Sequence, residues 1–210
     1  MGVIDELSTS LKLKIQEPNI ALAKQIVENN DQAGIIELIN ELNNKKLAGD
    51  CIKVLYEIGY LNASLIDNYA DIFLKLLAHK DNRMQWGAMT ALAEVSKTKP
   101  EVVYENLSDI IYAANNGSVI TKDQAFNILI RLAKLETYYD DVFSIINNQL
   151  SIAPNNQFPK YVEQTFEIIK PSDVEILIKT IELKIDTIDV LSKRKRVEKI
   201  LDKLKKQLFK

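Results

Sequence analysis

"DNRMQWGAMTALAEV", residues 81–95, carries Ala88, Leu92 and Val95 at i, i+4 and i+7, a single apolar stripe of an α-helix. The stripe returns along the chain. "VLYEIG" (54–59), "ALAEVS" (91–96), "ILIRLA" (128–133) and "TFEIIK" (165–170) place Leu55, Leu92, Leu129 and Phe166 37 residues apart. Ile58, Val95, Leu132 and Ile169 form a second column, and Cys51, Ala88, Ala125 and Val162 a third. Four copies in register with no inserted residue define a repeat of one supersecondary unit.

A second amphipathic segment follows each stripe. "SLIDNYADIFLKLLA" offers Ile66, Tyr69, Phe73 and Leu77, and "PEVVYENLSDIIYAA" offers Val103, Leu107, Ile110 and Ala114. "YDDVFSIINNQL" uses Val142, Ile145, Ile146 and Leu150, and "PSDVEILIKTIEL" uses Val174, Leu177, Ile178 and Ile181. Pro100 and Pro171 sit at first helical positions, and Ser172 with Glu175 and Thr121 with Gln124 have the spacing of capping boxes. An out-of-register hairpin is expected at "NIALAKQIVEN" plus "DQAGIIELINEL", after a short helix using Ile4, Leu7 and Leu11. No hairpin buries its apolar face alone, so neighbours must stack. The expectation is an all-α, right-handed superhelix of about five hairpins. Residues 1–17 form an N-terminal capping helix, 18–184 the repeats and 185–210 a basic capping helix.

The run Asp81, Met84, Gln85, Ala88, Leu92, Val95 resembles the first helix of HEAT repeats, with Gln85 standing where that family has arginine. The resemblance extends over residues 18–184. It implies an α-solenoid whose second helices line a concave surface, and it leaves function open, because such repeats serve adaptors, transport receptors and a few enzymes. The tetratricopeptide pattern is absent.

Composition fits that reading. Hydrophobic residues make up 47% and charged residues 27%, and six glycines and five prolines are too few for a many-stranded sheet. No apolar run reaches the roughly 18 to 20 residues that span a bilayer. The N-terminus lacks a secretory pattern, and Glu6 breaks the myristoylation motif. A lone cysteine suits a reducing compartment, so a cytoplasmic protein is expected.

Catalytic constellations are hard to assemble. Cys51 shares a column with Ala88, Ala125 and Val162, a slot for a small apolar residue. His79, the one histidine, follows "FLKLLA" at a helix end, where it can meet the last carbonyls. Phosphate loops, H-E-x-x-H and EF-hand spacings are missing, and no metal or cofactor is expected. "WG" falls in first-turn slots shared with Gly49 and Asp50, Asp123 and Gln124, and Lys160 and Tyr161, which read as solvent-facing. Trp86 then packs on a neighbouring loop or meets a partner.

Two charged features remain. Glu101, Glu105 and Asp109 form one carboxylate row and Asp67 and Asp71 another, with Asp140 and Asp141 nearby and Tyr104 and Tyr112 alongside. These are a solvated face, or an acidic and aromatic groove for a basic peptide. Residues 186–210 hold nine Lys or Arg against four Asp or Glu, including Lys193, Arg194, Lys195 and Arg196, while the rest of the chain carries −7. That body repels nucleic acid. The leading expectation is a non-catalytic module presenting a concave helical surface to another protein or peptide, a basic one in particular. The alternatives are an enzyme resembling HEAT-like DNA glycosylases and a nucleic-acid or membrane tether through the last helix.

Overall fold

The computed structural model describes residues 2–208. Twelve α-helices and five 3-10 turns follow one another, with no strand among the described residues. The α-helices are α1 (Glu17–Asn29), α2 (Gln32–Asn40), α3 (Ala48–Leu61), α4 (Ala70–Leu76), α5 (Asn82–Val95), α6 (Pro100–Glu105), α7 (Leu107–Asn116), α8 (Val119–Ala133), α9 (Glu136–Ile152), α10 (Phe158–Phe166), α11 (Val174–Ile185) and α12 (Leu191–Leu208). The chain divides into two compact units, Met1–Ile128 and Leu129–Lys210.

In the first unit α3 is the central element, packed against α1 on one side and α5 on the other, with α2 also on α3 and α4 on α5. In the second unit α12 packs on both α10 and α11, and α11 on α9. The repeat columns are buried within each unit: Leu55, Leu92, Ile58 and Val95 in the first and Leu129 and Leu132 in the second are fully buried. The fourth copy departs. Phe166 and Ile169 are half-buried, because α10 stops at Phe166. Pro171 holds Lys170 in extended backbone (φ −81°, ψ 152°), so the helix has no continuation. The Lys203 ammonium covers the Phe166 ring, 5.4 Å from its centroid.

Several local expectations are corrected. Residues 3–6 form a single 3-10 turn, and Leu11 is exposed rather than packed. The segment 63–77 is two 3-10 turns followed by the short α4. The segment 100–116 breaks at Asn106, whose Nδ2 donates to the Val102 carbonyl at 2.8 Å, an asparagine competing with the helix ladder. Neither capping box forms. Ser118 Oγ accepts from the Thr121 N–H at 3.3 Å, and Ser172 bonds Asp173 instead. Pro100 does open its helix.

Gly87 is buried, not solvent-facing, as are Asp50 and Tyr161 from the same column. It lies at a close approach of α3 and α5: a Cβ there would lie 2.7 Å from Ile52 Cγ1 and 3.2 Å from Cγ2. Ile52 is fully buried and branched next to its own backbone, so it cannot swing away. Overpacking outweighs the roughly 1 kcal/mol that alanine gains over glycine in a helix. Gly87→Ala should therefore lower stability by about 1–2 kcal/mol, read as a reduced urea midpoint with an unchanged slope.

Asp50 fastens the N-terminal segment. Its Oδ2 accepts the Thr9 N–H at 2.8 Å, its Oδ1 meets Arg83 Nη2 at 3.1 Å, and Ser8 N–H reaches Asn19 Oδ1 at 3.0 Å beside it. Burial alone would push the Asp50 carboxyl up, but the Thr9 and Asn19 hydrogen bonds and the Arg83 charge hold it below the ordinary value of 3.8. A depressed folded pKa stabilises fully above the unfolded value and is lost as pH falls through the folded one. The stability gap between the native chain and Asp50→Asn should thus be widest at neutral pH. It should close below about pH 4, measured by urea unfolding across pH 7 to 3.

Candidate protein-interaction groove

The second unit carries a seam between two parallel helices. Each side chain of α11 or its flank reaches a residue about one repeat earlier on α9 or its flank. Tyr139 OH donates to Asp173 Oδ2 at 3.0 Å, Thr180 Oγ1 donates to Asn147 Oδ1 at 2.6 Å, and Lys184 Nζ donates to the Ser151 carbonyl at 2.9 Å. These three bonds hold the helices in register for their whole length.

At the N-terminal end of the seam lies a cleft of about 420 Å³ lined by Tyr139, Asp140, Phe143, Ser144, Asn147, Asp173 and Ile176. Its floor is aromatic. Tyr139 and Phe143, one turn apart on α9, stack with ring centroids 5.7 Å apart and planes 7° from parallel. The Tyr139 hydroxyl also accepts the Lys170 N–H at 2.9 Å, and burial pushes its pKa up to about 12. It is a fixed neutral donor at any ordinary pH. Asp140 and Asp173 supply negative charge. The Lys170 ammonium sits 4.0 Å over the Tyr139 ring, 2.6 Å from Glu136 and 3.7 Å from Asp140. A cation is therefore already at home on this rim, held by a π-face and carboxylates together. At the C-terminal end a second cleft of about 260 Å³ is lined by Ser151, Thr180, Leu183, Lys184 and Thr187. Burial holds the Lys184 ammonium below its ordinary pKa, and it lies 5.3 Å over the Phe158 ring.

The carboxylates expected from the sequence are dispersed. Asp67 is buried in a 3-10 turn outside α4 and pairs with Lys99 at 3.2 Å, so it does not form an exposed row with Asp71. Asp71 is exposed on α4. Glu101, Glu105 and Asp109 are exposed, but Glu105 closes α6 while Asp109 belongs to α7. Tyr104 is half-buried and Tyr112 is 74% exposed. Trp86 is half-buried and packs on Tyr56 of α3, centroids 5.8 Å apart, rather than on a loop.

The basic tail is largely engaged in holding α12 down. Arg196 makes a two-pronged bond to Glu163 at 2.6 and 2.8 Å, which holds that carboxyl below its usual range. Arg194 meets Asp186 at 2.6 Å and Glu198 at 3.2 Å, and Lys193 reaches Asn156 at 2.6 Å. Lys205 pairs with Glu182 at 2.6 Å. Lys195 is exposed, with Lys199 and Lys206 along the same stripe.

Sequence reasoning passed over Tyr139, Phe143, Asp173 and Leu183. Two signals point to Tyr139 and Leu183. Tyr139 and Ile176 are 37 residues apart, in repeat register, and Ile176 and Leu183 are apolar residues seven apart lying off the buried stripe of α11.

Among the described residues no group of three or more His, Cys, Asp or Glu side chains converges as a metal site. His79 Nδ1 accepts the Asp81 N–H at 3.0 Å instead of meeting helix carbonyls. The Cys51 thiol is buried and pushed up to about 12 by burial and the nearby Glu41 and Asp50 charges. It should react with DTNB at the rate of global unfolding, and a fast native reaction would displace it from the core.

No family model matches the chain, and no curated protein matches it. No helix among the described residues is long and apolar enough to cross a membrane. Among solved structures it is similar to the crystal structure of an engineered protein from the Northeast Structural Genomics Consortium. That likeness has a TM-score of 0.62 at 14% identity and covers 99% of this chain and 98% of the other. At that identity the likeness is one of helical fold.

Proposed function

We propose that this chain is a non-catalytic protein-interaction module of the reducing cytoplasm. In this reading its hairpins stack as a right-handed, HEAT-like superhelix of about five units, and it recognises a basic segment of a partner protein. The supporting observation is the cleft at the head of the α9–α11 seam, where Asp140 and Asp173 flank a Tyr139–Phe143 floor. Opposite charge favours a lysine or arginine side chain. The 37-residue repeat, and the register of α9 with α11, support the solenoid.

A DNA-acting enzyme resembling HEAT-like glycosylases needs a positive, tryptophan-rich groove. Here the cleft at the head of the seam is acidic, and Trp86 packs on Tyr56.

A fluorescein-labelled peptide of alternating lysine and serine tests the reading by anisotropy. Asp140→Lys should weaken its binding at least tenfold, and added salt should weaken it for the native chain. Reversal of Asp71, Glu105 and Asp109 to lysine should have a smaller effect, and Lys195, Lys199 and Lys206 to glutamate should not reduce it. No binding, or binding indifferent to Asp140→Lys, contradicts the groove. Binding to phosphatidylserine vesicles that the tail reversal abolishes would favour the tether.

A further inference from the structure

Residues 11–15 read Leu-Lys-Leu-Lys-Ile, aliphatic and cation in strict alternation. All three aliphatics face water: Leu11 is 47% exposed, Leu13 45% and Ile15 51%. Every residue from 9 to 17 is exposed, so the segment is a projection and not the wall of a groove. It is held out by both ends. Leu7 is fully buried before it, the Ser8 and Thr9 N–H groups bond Asn19 and Asp50, and α1 begins at Glu17 after it. The Leu11, Lys12 and Leu13 N–H groups donate to the Leu7, Thr9 and Ser8 carbonyls at 2.9, 3.1 and 2.8 Å. These bonds close the segment into turns, with Lys12 in the left-handed region at φ 59°. The alternation would suit a strand, yet the turn bonds already occupy amides that a strand would lend to a neighbouring sheet.

The projection stands where the first unit gathers its positive charge. Asp50 and Arg83 meet in the first turns of α3 and α5, and Arg83 Nη2 lies 3.4 Å from Gln16 Oε1. Lys45 and Lys46 are exposed just before α3, and Lys80 just before α5. With Lys12, Lys14 and Arg83 they make six of the twelve cations in residues 1–128. Glu17 and Asp81 are exposed among them, while Asp50 pairs with Arg83 and Glu41 holds Asn44. A unit that is acidic as a whole is thus basic at this end.

An aliphatic projection ringed by lysines fits a receiving surface that is anionic above and apolar below. The interface of a bilayer containing anionic lipid has that layering. We propose that the chain docks peripherally on anionic membranes through residues 11–15. Leu11, Leu13 and Ile15 enter the acyl boundary, and the lysines meet the headgroups. Long-range charge brings this end of the unit to the surface, and apolar burial retains it. Nucleic-acid phosphates would satisfy the lysines and leave the aliphatics in water. The contact lies wholly in the first unit and does not depend on the acidic cleft of the second.

Cosedimentation of the full chain with vesicles tests this, using phosphatidylcholine alone or with about one-third phosphatidylserine. The native chain should bind the anionic vesicles about tenfold more tightly than the neutral ones, and salt should weaken that binding. Leu11→Ser, Leu13→Ser and Ile15→Ser together, all outside the core, should reduce it about tenfold with an unchanged urea midpoint. Lys12→Glu with Lys14→Glu should reduce it similarly. Lys195, Lys199 and Lys206 to glutamate should change it less than about twofold. A polarity-sensitive dye on Leu13→Cys should shift to the blue on anionic vesicles, while Cys51 is buried away from the label. Absence of vesicle binding, binding retained by the triple serine variant, or binding abolished by the tail reversal overturns the proposal. So does vesicle binding without the blue shift, or equally tight binding to duplex DNA or polyglutamate, which would mean attraction by charge alone.

Discussion

The contact between α3 and α5 at Gly87 is the constraint on which the first unit rests. A small residue there lets two helices approach until Ile52 fills the space a Cβ would take. Around that contact Tyr56 packs on Trp86, and the stripes Cys51–Leu55–Ile58 and Ala88–Leu92–Val95 are fully buried. Once α3 and α5 are fixed, Asp50 and Arg83 stand together at one end of them and capture the N-terminal segment through Thr9. At the other flank Gln85 Nε2 reaches the Leu77 carbonyl at 2.9 Å, tying the end of α4 to α5. The glutamine makes a local, neutral link.

The same periodic logic builds the seam of the second unit by a different means. There the second helices are aligned by side-chain bonds offset by 33 or 34 residues. The sequence spacing of the repeat thus becomes a spatial spacing of chemistry, with carboxylates at the helix starts and Lys184 near the end. Charge is partitioned too. Residues 1–128 hold twelve Lys or Arg against seventeen Asp or Glu, and residues 129–210 fifteen against twelve. The basic excess of the second unit is spent largely on pairs with Asp186, Glu163 and Glu182, each a surface pair worth at most about 1 kcal/mol. Collectively they orient α12.

The helical class and the buried columns were legible because a stripe at i, i+4 and i+7 repeated every 37 residues leaves little else possible. Polar residues were less legible, since a carboxylate row on paper assumes an unbroken helix. Asp67 and Asp71 lost their shared face when the chain took 3-10 turns before α4. Glu105 and Asp109 fell on two helices once Asn106 bonded back to Val102. The slots of Asp50 and Gly87 were misread as wet because helix starts in a repeat face their neighbours rather than water. The acidic cleft depends on which second helices adjoin, and no single segment reveals that.

The register of α3 on α5 is most directly measured by methyl NOEs from Ile52 in a selectively labelled sample. The account predicts strong cross-peaks from the Ile52 γ-methyl to both Gly87 α-protons. Weak or absent cross-peaks to Gly87, with strong ones to residues a turn away on α5, would mean a slipped register, and the packing described for the first unit would have to be rebuilt.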